Sequence, residues 1–263
     1  MERSHAGLSR DEAETLQRDG MVRLPGIMSA AEADHMADRL WRRLEARHRH
    51  FRDRPETWTK SDPRQLDGRS FGPFGGPAVR AVVDDLLGVG GWQPPQVWGT
   101  PLVTFPTPGP WDVPHRVWHT DLPARPDGHR IARLFAILTP LEPQGGGTVY
   151  VAGSHLVLRK LAAGHRKPIP SRTVKTLLVE REPWFADLLS RREGEDRLAR
   201  FMGEGATVDG VRVQVREITG DPGDLYVMDP MMLHALAQNT RAAPRLMLTQ
   251  AIVGHGWQWD EPA

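Results

Sequence analysis

Near residue 96 the sequence changes its period, and this change limits the fold more than any other feature. Seven short segments follow: "QVWGTPLVTF", "RIARLFAILT", "GTVYVAG", "VRVQVREIT", "DLYVMD", "LHALAQN" and "RLMLTQAIV". Each is rich in β-branched and aromatic residues and is bounded by Pro, Gly or Asp, as strands between turns are. Strands in succession without long alternating helices point to an antiparallel double-sheet barrel or jelly roll. One stretch departs from this pattern. Between 180 and 203, Trp184, Phe185, Leu188, Leu189, Leu198 and Phe201 recur at helical spacing, broken at Gly194, which predicts one or two helices inserted between barrel strands.

Ahead of residue 96 the pattern is mostly helical. "SRDE" at 9–12 and "SAAE" at 29–32 are capping boxes, in which a Ser hydroxyl and a Glu three residues on satisfy the free amides of a helix start. The second helix puts Ala33, Met36, Leu40 and Leu44 on a core face and its arginines on a solvated one. Between the two helices lies a short apolar segment, "MVRLP". Pro77 opens a third helix carrying Val79, Val82, Val83, Leu86 and Leu87, and Gly88 ends it. The polar, Pro- and Gly-rich stretch 48–76 reads as a long irregular loop. The expectation is a single domain over 1–263, mostly helical over 1–90, with a jelly-roll core over 96–254 and an insertion at 156–210.

Composition narrows the chemistry. The sequence has no Cys, so disulfides, Cys-bound zinc and iron–sulfur clusters are out, and a metal would have to be held by His and carboxylate. Thirty-four basic residues against thirty-three acidic ones give no bulk attraction to nucleic acid or membrane, which leaves a small molecule as the expected partner. The opening "MERSHAGLSRDEAE" lacks an apolar signal region, and no segment approaches the ~20 apolar residues of a membrane span. A cytoplasmic monomer or homodimer is expected.

In "VWHTDLPARPDG", residues 117–128, a His and an Asp stand two apart. In a strand such residues share a face, so His119 and Asp121 would offer an imidazole and a carboxylate to one metal. By itself the tripeptide reads more readily as a surface hydrogen-bonded pair, because short motifs recur by chance. His234, in an apolar strand-like setting, likewise reads alone as a core histidine. Together the three make a two-His, one-carboxylate set, which fills three of six octahedral positions on Fe(II) and leaves three open. Arg245 follows on the next apolar strand; a guanidinium facing a barrel interior is costly unless it meets an anion, and its planar fork matches a carboxylate. A salt bridge at a strand end is the plainer account of Arg245 alone.

These residues carry a resemblance. "LSRDEAETLQRDGMVRLPGIMS", "WHTD", "GGGTVYVAGSH" and "GDLYVMDPMMLHALAQNTRAAPR", in this order and spacing, are similar to the phytanoyl-CoA dioxygenase-like family of Fe(II)/2-oxoglutarate-dependent oxygenases, whose fold is a double-stranded β-helix, or jelly roll. The resemblance implies that His119, Asp121 and His234 hold Fe(II), that Arg245 meets the distal carboxylate of 2-oxoglutarate, and that 2-oxoglutarate and O2 are cosubstrates. Thr148 reads either as a further cosubstrate contact or as an ordinary strand residue. His155 and Asn239 read as structural turn residues. Two positions depart from the pattern: "FPTPG" has no basic residue ahead of the Pro-Gly, and Ala152 stands where Pro is usual before Gly-Ser-His.

The implied reaction is hydroxylation of an unactivated C–H bond of a metabolite or natural-product intermediate, with release of succinate and CO2. Desaturation, epoxidation or ring formation are alternative outcomes; halogenating relatives have a small residue where this chain has Asp121. A non-catalytic jelly-roll metal- or ligand-binding protein and a cupin-type enzyme without 2-oxoglutarate are competing readings, and Arg245 together with the full ligand set counts against both. The stretches 48–76 and 156–210 are the segments that could cover the barrel mouth. Trp98, Trp111, Trp118, Trp184 and Phe185 could wall a pocket, although core packing accounts for each as well.

Overall fold

Both capping boxes close. In a computed structural model, which describes residues 7–58, 70–191 and 196–257, the Glu12 amide donates to the Ser9 hydroxyl at 3.3 Å and the Ser9 amide to the Glu12 carboxylate at 2.8 Å. This opens α1 (Arg10–Asp19), and the same reciprocal pair, Ser29 with Glu32, opens α2 (Ala30–His48). On α2 the expected stripe of Ala33, Met36, Leu40 and Leu44 is buried. The arginine face is not uniformly solvated: Arg43, three positions on from Leu40, borders that stripe and is buried with its guanidinium 4.3 Å from the Phe71 ring. Helix α3 (Pro77–Leu87) buries Val79, Val82, Val83 and Leu87.

The segment "MVRLP" is a strand, β1 (Met21–Leu24), too short to signal itself by alternation but fixed by pairing with β7 (Leu225–Met228) some two hundred residues away. The other strands fall where the sequence marks them: β2 (Thr100–Thr104), β3 (Ile131–Ile137), β4 (Thr148–Ala152), β6 (Val211–Glu217), β8 (His234–Leu236) and β9 (Arg245–Val253), joined by a short β5 (Ala206–Val208). They form a five-stranded sheet in the order β1-β7-β3-β9-β2 and a four-stranded sheet in the order β5-β6-β4-β8, with every ladder antiparallel. Mainly β with added helices, this is the jelly-roll architecture.

Strand alternation splits the apolar side chains into three layers. Ala132, Leu134 and Ala136 of β3, with Leu246, Leu248 and Ile252 of β9, pack outward under α1–α3. Phe135, Ile137, Tyr150, Tyr226 and Met247 face between the sheets. Val149 and Val151 of β4 and Val211, Val213 and Val215 of β6 pack outward against a second helical layer. That layer is α4 (Ser154–Ala163), α5 (Ser171–Arg181), α6 (Pro183–Leu188) and a π-helical segment, Leu198–Glu204. Helical structure in the insertion therefore begins at Ser154, well before the expected 180–203; Gly194 lies outside the described residues. Among the described residues no helix is long and apolar enough to cross a membrane.

Two glycines fix the turn into β4. Gly146 has φ +81°, and a Cβ on Gly147 would lie 2.1 Å from the Ile218 carbonyl oxygen, closer than any real contact. This close approach docks the Gly-rich turn on the end of β6. Asn239, bridged to Gly145 beside it, holds the 239–243 turn, donating through Nδ2 to the Thr104 and Ala243 carbonyls, as its structural reading anticipated. His155 is also structural, but it sits in the first turn of α4 and bonds through Nε2 to the Gln17 carbonyl at 3.0 Å, so it ties α4 to α1 rather than ending a turn.

Candidate metal centre

His119, Asp121 and His234 come together: their candidate ligand atoms all lie within 4.8 Å of one another, on a set that runs from exposed His119 through partly buried Asp121 to buried His234. The means differs from the strand geometry read in the sequence. His119 belongs to an isolated two-residue bridge, not a strand, and Asp121 lies in a bend that runs into Pro123, which has no amide with which to extend a ladder. What aligns the two segments is reciprocal main-chain bonding. The His119 amide donates to the His234 carbonyl at 2.9 Å, and the His234 amide to the His119 carbonyl at 3.0 Å. Trp118 turns the other way, into the core beneath the insertion, with its indole donating to the Pro114 carbonyl.

Each imidazole is oriented by the carbonyl two residues before it. Nδ1 of His119 lies 3.0 Å from the Val117 oxygen, and Nδ1 of His234 lies 2.9 Å from the Met232 oxygen. A carbonyl can only accept, so both Nδ1 atoms carry a proton, which leaves Nε2 as the ring atom of each that can ligate. Burial pushes the His234 imidazole down to about 4, partly opposed by Asp121, so it remains neutral and able to ligate. Its Nε2 lies 3.7 Å from Asp121 Oδ1, and the two rings are 4.2 Å apart at a tilt of 48°, an arrangement that points both toward one position without bonding them to each other.

The triad opens onto a cavity of about 540 Å³ between the sheets, lined also by Leu102, Arg133, Phe135, Thr148, Leu236 and Arg245. Arg245 begins β9 on the inward phase and is 3% exposed. Its Nε and Nη1 have no hydrogen-bond partner, and neither does the hydroxyl of Thr104, the residue directly opposite it in the β2–β9 ladder. Burial pulls the Arg245 guanidinium down to about 10, and Glu217 opposes this. A buried, charged fork with free N–H groups is among the costliest things a core can hold, so its donors call for an anionic ligand. Thr148 is buried on the same cavity, opposite half-exposed Leu236 in the β4–β8 ladder.

Two polar residues here escaped the sequence reading. Arg133 stands on β3 in the phase of Ile131, Phe135 and Ile137, the inward face. Glu217 continues the phase of Val211, Val213 and Val215 on β6, accepts from the Gln144 amide at 2.8 Å and so helps to hold the Gly-rich turn. Burial pushes its carboxyl up to about 7. The signal for both was available: a charge in the apolar phase of an alternating strand, the argument that singled out Arg245. The aromatics offered as pocket walls, Trp98, Trp111, Trp118, Trp184 and Phe185, are all buried in the two outer layers. Among the described residues none of 156–210 lines the cavity; residues 192–195 of that stretch and 59–69 of the stretch 48–76 lie outside the described residues.

Fold and site together define a jelly roll with an open two-His, one-carboxylate centre and a buried arginine on one cavity. No family model matches the sequence, and no curated protein does. Solved structures share the fold. The non-heme α-ketoglutarate-dependent carbocyclase SnoK from nogalamycin biosynthesis superposes with a TM-score of 0.56 at 16% identity, over 96% of this chain and 87% of that one. EctD from S. alaskensis in its apo form also scores 0.56 at 16%, over 100% and 82%. HygX from Streptomyces hygroscopicus, with nickel and 2-oxoglutarate bound, scores 0.52 at 15%, over 96% and 90%.

Proposed function

We propose that this chain is an Fe(II)/2-oxoglutarate-dependent oxygenase of the phytanoyl-CoA dioxygenase type, with His119, Asp121 and His234 as metal ligands and Arg245 as the partner of the cosubstrate's distal carboxylate. The observation that carries this reading is the pairing on one cavity of a nitrogen–nitrogen–oxygen donor set with a buried guanidinium whose Nε and Nη1 lack hydrogen-bond partners. The donor set suits Fe(II): two neutral imidazoles and one carboxylate, with coordination positions left for other ligands. A metal–2-oxoglutarate centre there would couple decarboxylation of the cosubstrate to oxidation of a substrate C–H bond, with hydroxylation the outcome that a carboxylate at position 121 favours.

The protein's own part is orientation and exclusion of water. The Val117 and Met232 carbonyls hold both imidazoles in the ligating tautomer. Arg245 fixes the far end of the cosubstrate, and Thr148, on the opposite wall of the same cavity, is a second contact to it. Leu102, Val103, Phe135 and Leu236 make the remaining wall apolar, which suits a small-molecule substrate and keeps solvent from the reacting bond. The test is anaerobic addition of Fe(II) and 2-oxoglutarate, read by the weak visible charge-transfer band, then succinate formation in air. Wild type should show both; if it shows neither, and His234→Ala and Arg245→Ala change nothing, the assignment is wrong.

A further inference from the structure

Arg133 is the charged residue on this cavity to which the proposed reaction gives no role. It lies one inward step from Phe135, its side chain is 24% exposed, and its guanidinium stands 5.6 Å from the Phe135 ring. Its nearest counter-charge is Asp121: Nε lies 3.0 Å from Oδ2, but the N–H is not aimed at that oxygen, and both atoms lack a hydrogen bond. This is an ion pair without directional bonding, against a carboxylate that a metal would claim. Among the described residues that line the cavity, Asp121 is the sole carboxylate.

We propose that Arg133 anchors an anionic group of the substrate, and that the substrate is accordingly a small molecule with one negative charge on an otherwise apolar body. The inference rests on the oxygenase reading above. Charge leads to it first. With the centre assembled, a divalent metal offsets the dianion 2-oxoglutarate, Arg245 offsets Asp121, and the imidazoles are neutral, so Arg133 remains as one uncompensated positive charge facing the cavity. A guanidinium in that position is stable when it meets an anion.

Position argues the same way. Arg133 pairs with Ala251 on β9, six residues beyond Arg245, which separates the two backbones by about 20 Å along the strand. The two guanidinium groups therefore serve different anions: Arg245 the cosubstrate's far end, Arg133 a second molecule next to the metal ligands. The lining between the two guanidinium groups describes the rest of that molecule. Leu102, Val103, Phe135 and half-exposed Leu236 offer apolar contact, and the Phe135 ring beside the guanidinium restrains the fork so that a carboxylate can be met bidentately.

The test uses Zn(II)- and 2-oxoglutarate-loaded protein and 19F NMR titrations with 4,4,4-trifluorobutyrate and 4-fluorophenylacetate, each beside its uncharged amide. Wild type should bind the acids at least tenfold more tightly than the amides. Arg133→Met should abolish that preference while amide, Zn(II) and 2-oxoglutarate affinities stay within about twofold, and Arg133→Lys should keep part of it. Equal binding of acid and amide by wild type, absence of binding by either acid, or a preference that survives in Arg133→Met overturns the proposal. A fall in Zn(II) affinity in Arg133→Met with the acid preference intact also overturns it and makes Arg133 a positioning residue for Asp121. Failure of the oxygenase reading looks different: wild type then takes up neither Zn(II) nor 2-oxoglutarate before any probe is added, and the proposal falls with it.

Discussion

The five-stranded sheet turns two guanidinium groups toward the cavity, Arg133 of β3 and Arg245 of β9, whereas the four-stranded sheet presents His234 of β8 and Thr148 of β4 and contributes no cation to the lining. The remaining candidate ligands, His119 and Asp121, are attached to the four-stranded sheet through the main-chain bridge to His234. Candidate metal donors thus belong to one wall and anion partners to the other. A ligand that chelates the metal and reaches Arg245 has to join both walls, so neither sheet alone contains a binding site.

Removing a donor from the four-stranded side should have the largest effect. Outer-shell changes at metal sites already cost ~10–100-fold in affinity, so His234→Ala, which deletes a ligand, should lower metal affinity by more than ~100-fold and reduce succinate to background. Calorimetric metal titration and succinate assay check this. On the opposite wall, Arg245→Met should act with two signs. Loss of charge-assisted bonds worth roughly 1.5–3 kcal/mol should weaken 2-oxoglutarate binding by ~10–100-fold, while the ligand-free protein, relieved of a buried and unpartnered charge, should melt no lower than wild type. Equilibrium titration of the charge-transfer band and a thermal melt without ligands separate these effects; a lower melting temperature would show that Arg245 holds the sheets together by itself.

The turn that connects the walls should respond next. Gly147→Ala drives a methyl group into the Ile218 carbonyl, and overpacking of this kind costs typically ~1–3 kcal/mol. Denaturant midpoints read that loss. A further effect is a pH dependence beneath the turn. The Glu217 carboxyl sits at about 7 in the folded chain against the ordinary 4.5, so between these values the folded state binds more protons than the unfolded one. Its contribution to stability is present below about 4.5 and is lost as pH rises through about 7. Glu217→Gln removes that dependence, and its melting temperature relative to wild type should climb from pH 5 to pH 8.

Most of this division was legible in residues and spacing. Seven strands, two capping boxes and the stripe of α3 were readable because local periodicity and the burial each face meets agree. His119, Asp121, His234 and Arg245 were readable as a constellation, and the structure places all four on one cavity. What escaped depends on distance in sequence. Strand β1 is four residues long and takes its identity from a partner near residue 226. The contact between His119 and His234 is a two-residue bridge with no periodic signature. Arg133 and Glu217 stand in the apolar phases of their strands, yet a single charge inside an apolar strand attracts notice only once the face it occupies is known to be covered.

The bridge between His119 and His234 gives the centre a mechanical character. Because each histidine's amide bonds to the other's carbonyl, the spacing of two candidate metal donors is set by main chain rather than by flexible side chains. With a metal bound as proposed, peeling the 117–121 segment from β8 and releasing the ion would be a single event. A metal there would act as a rivet between two segments of one wall, and the protection of these two amides against hydrogen exchange is a direct gauge of whether the rivet is in place.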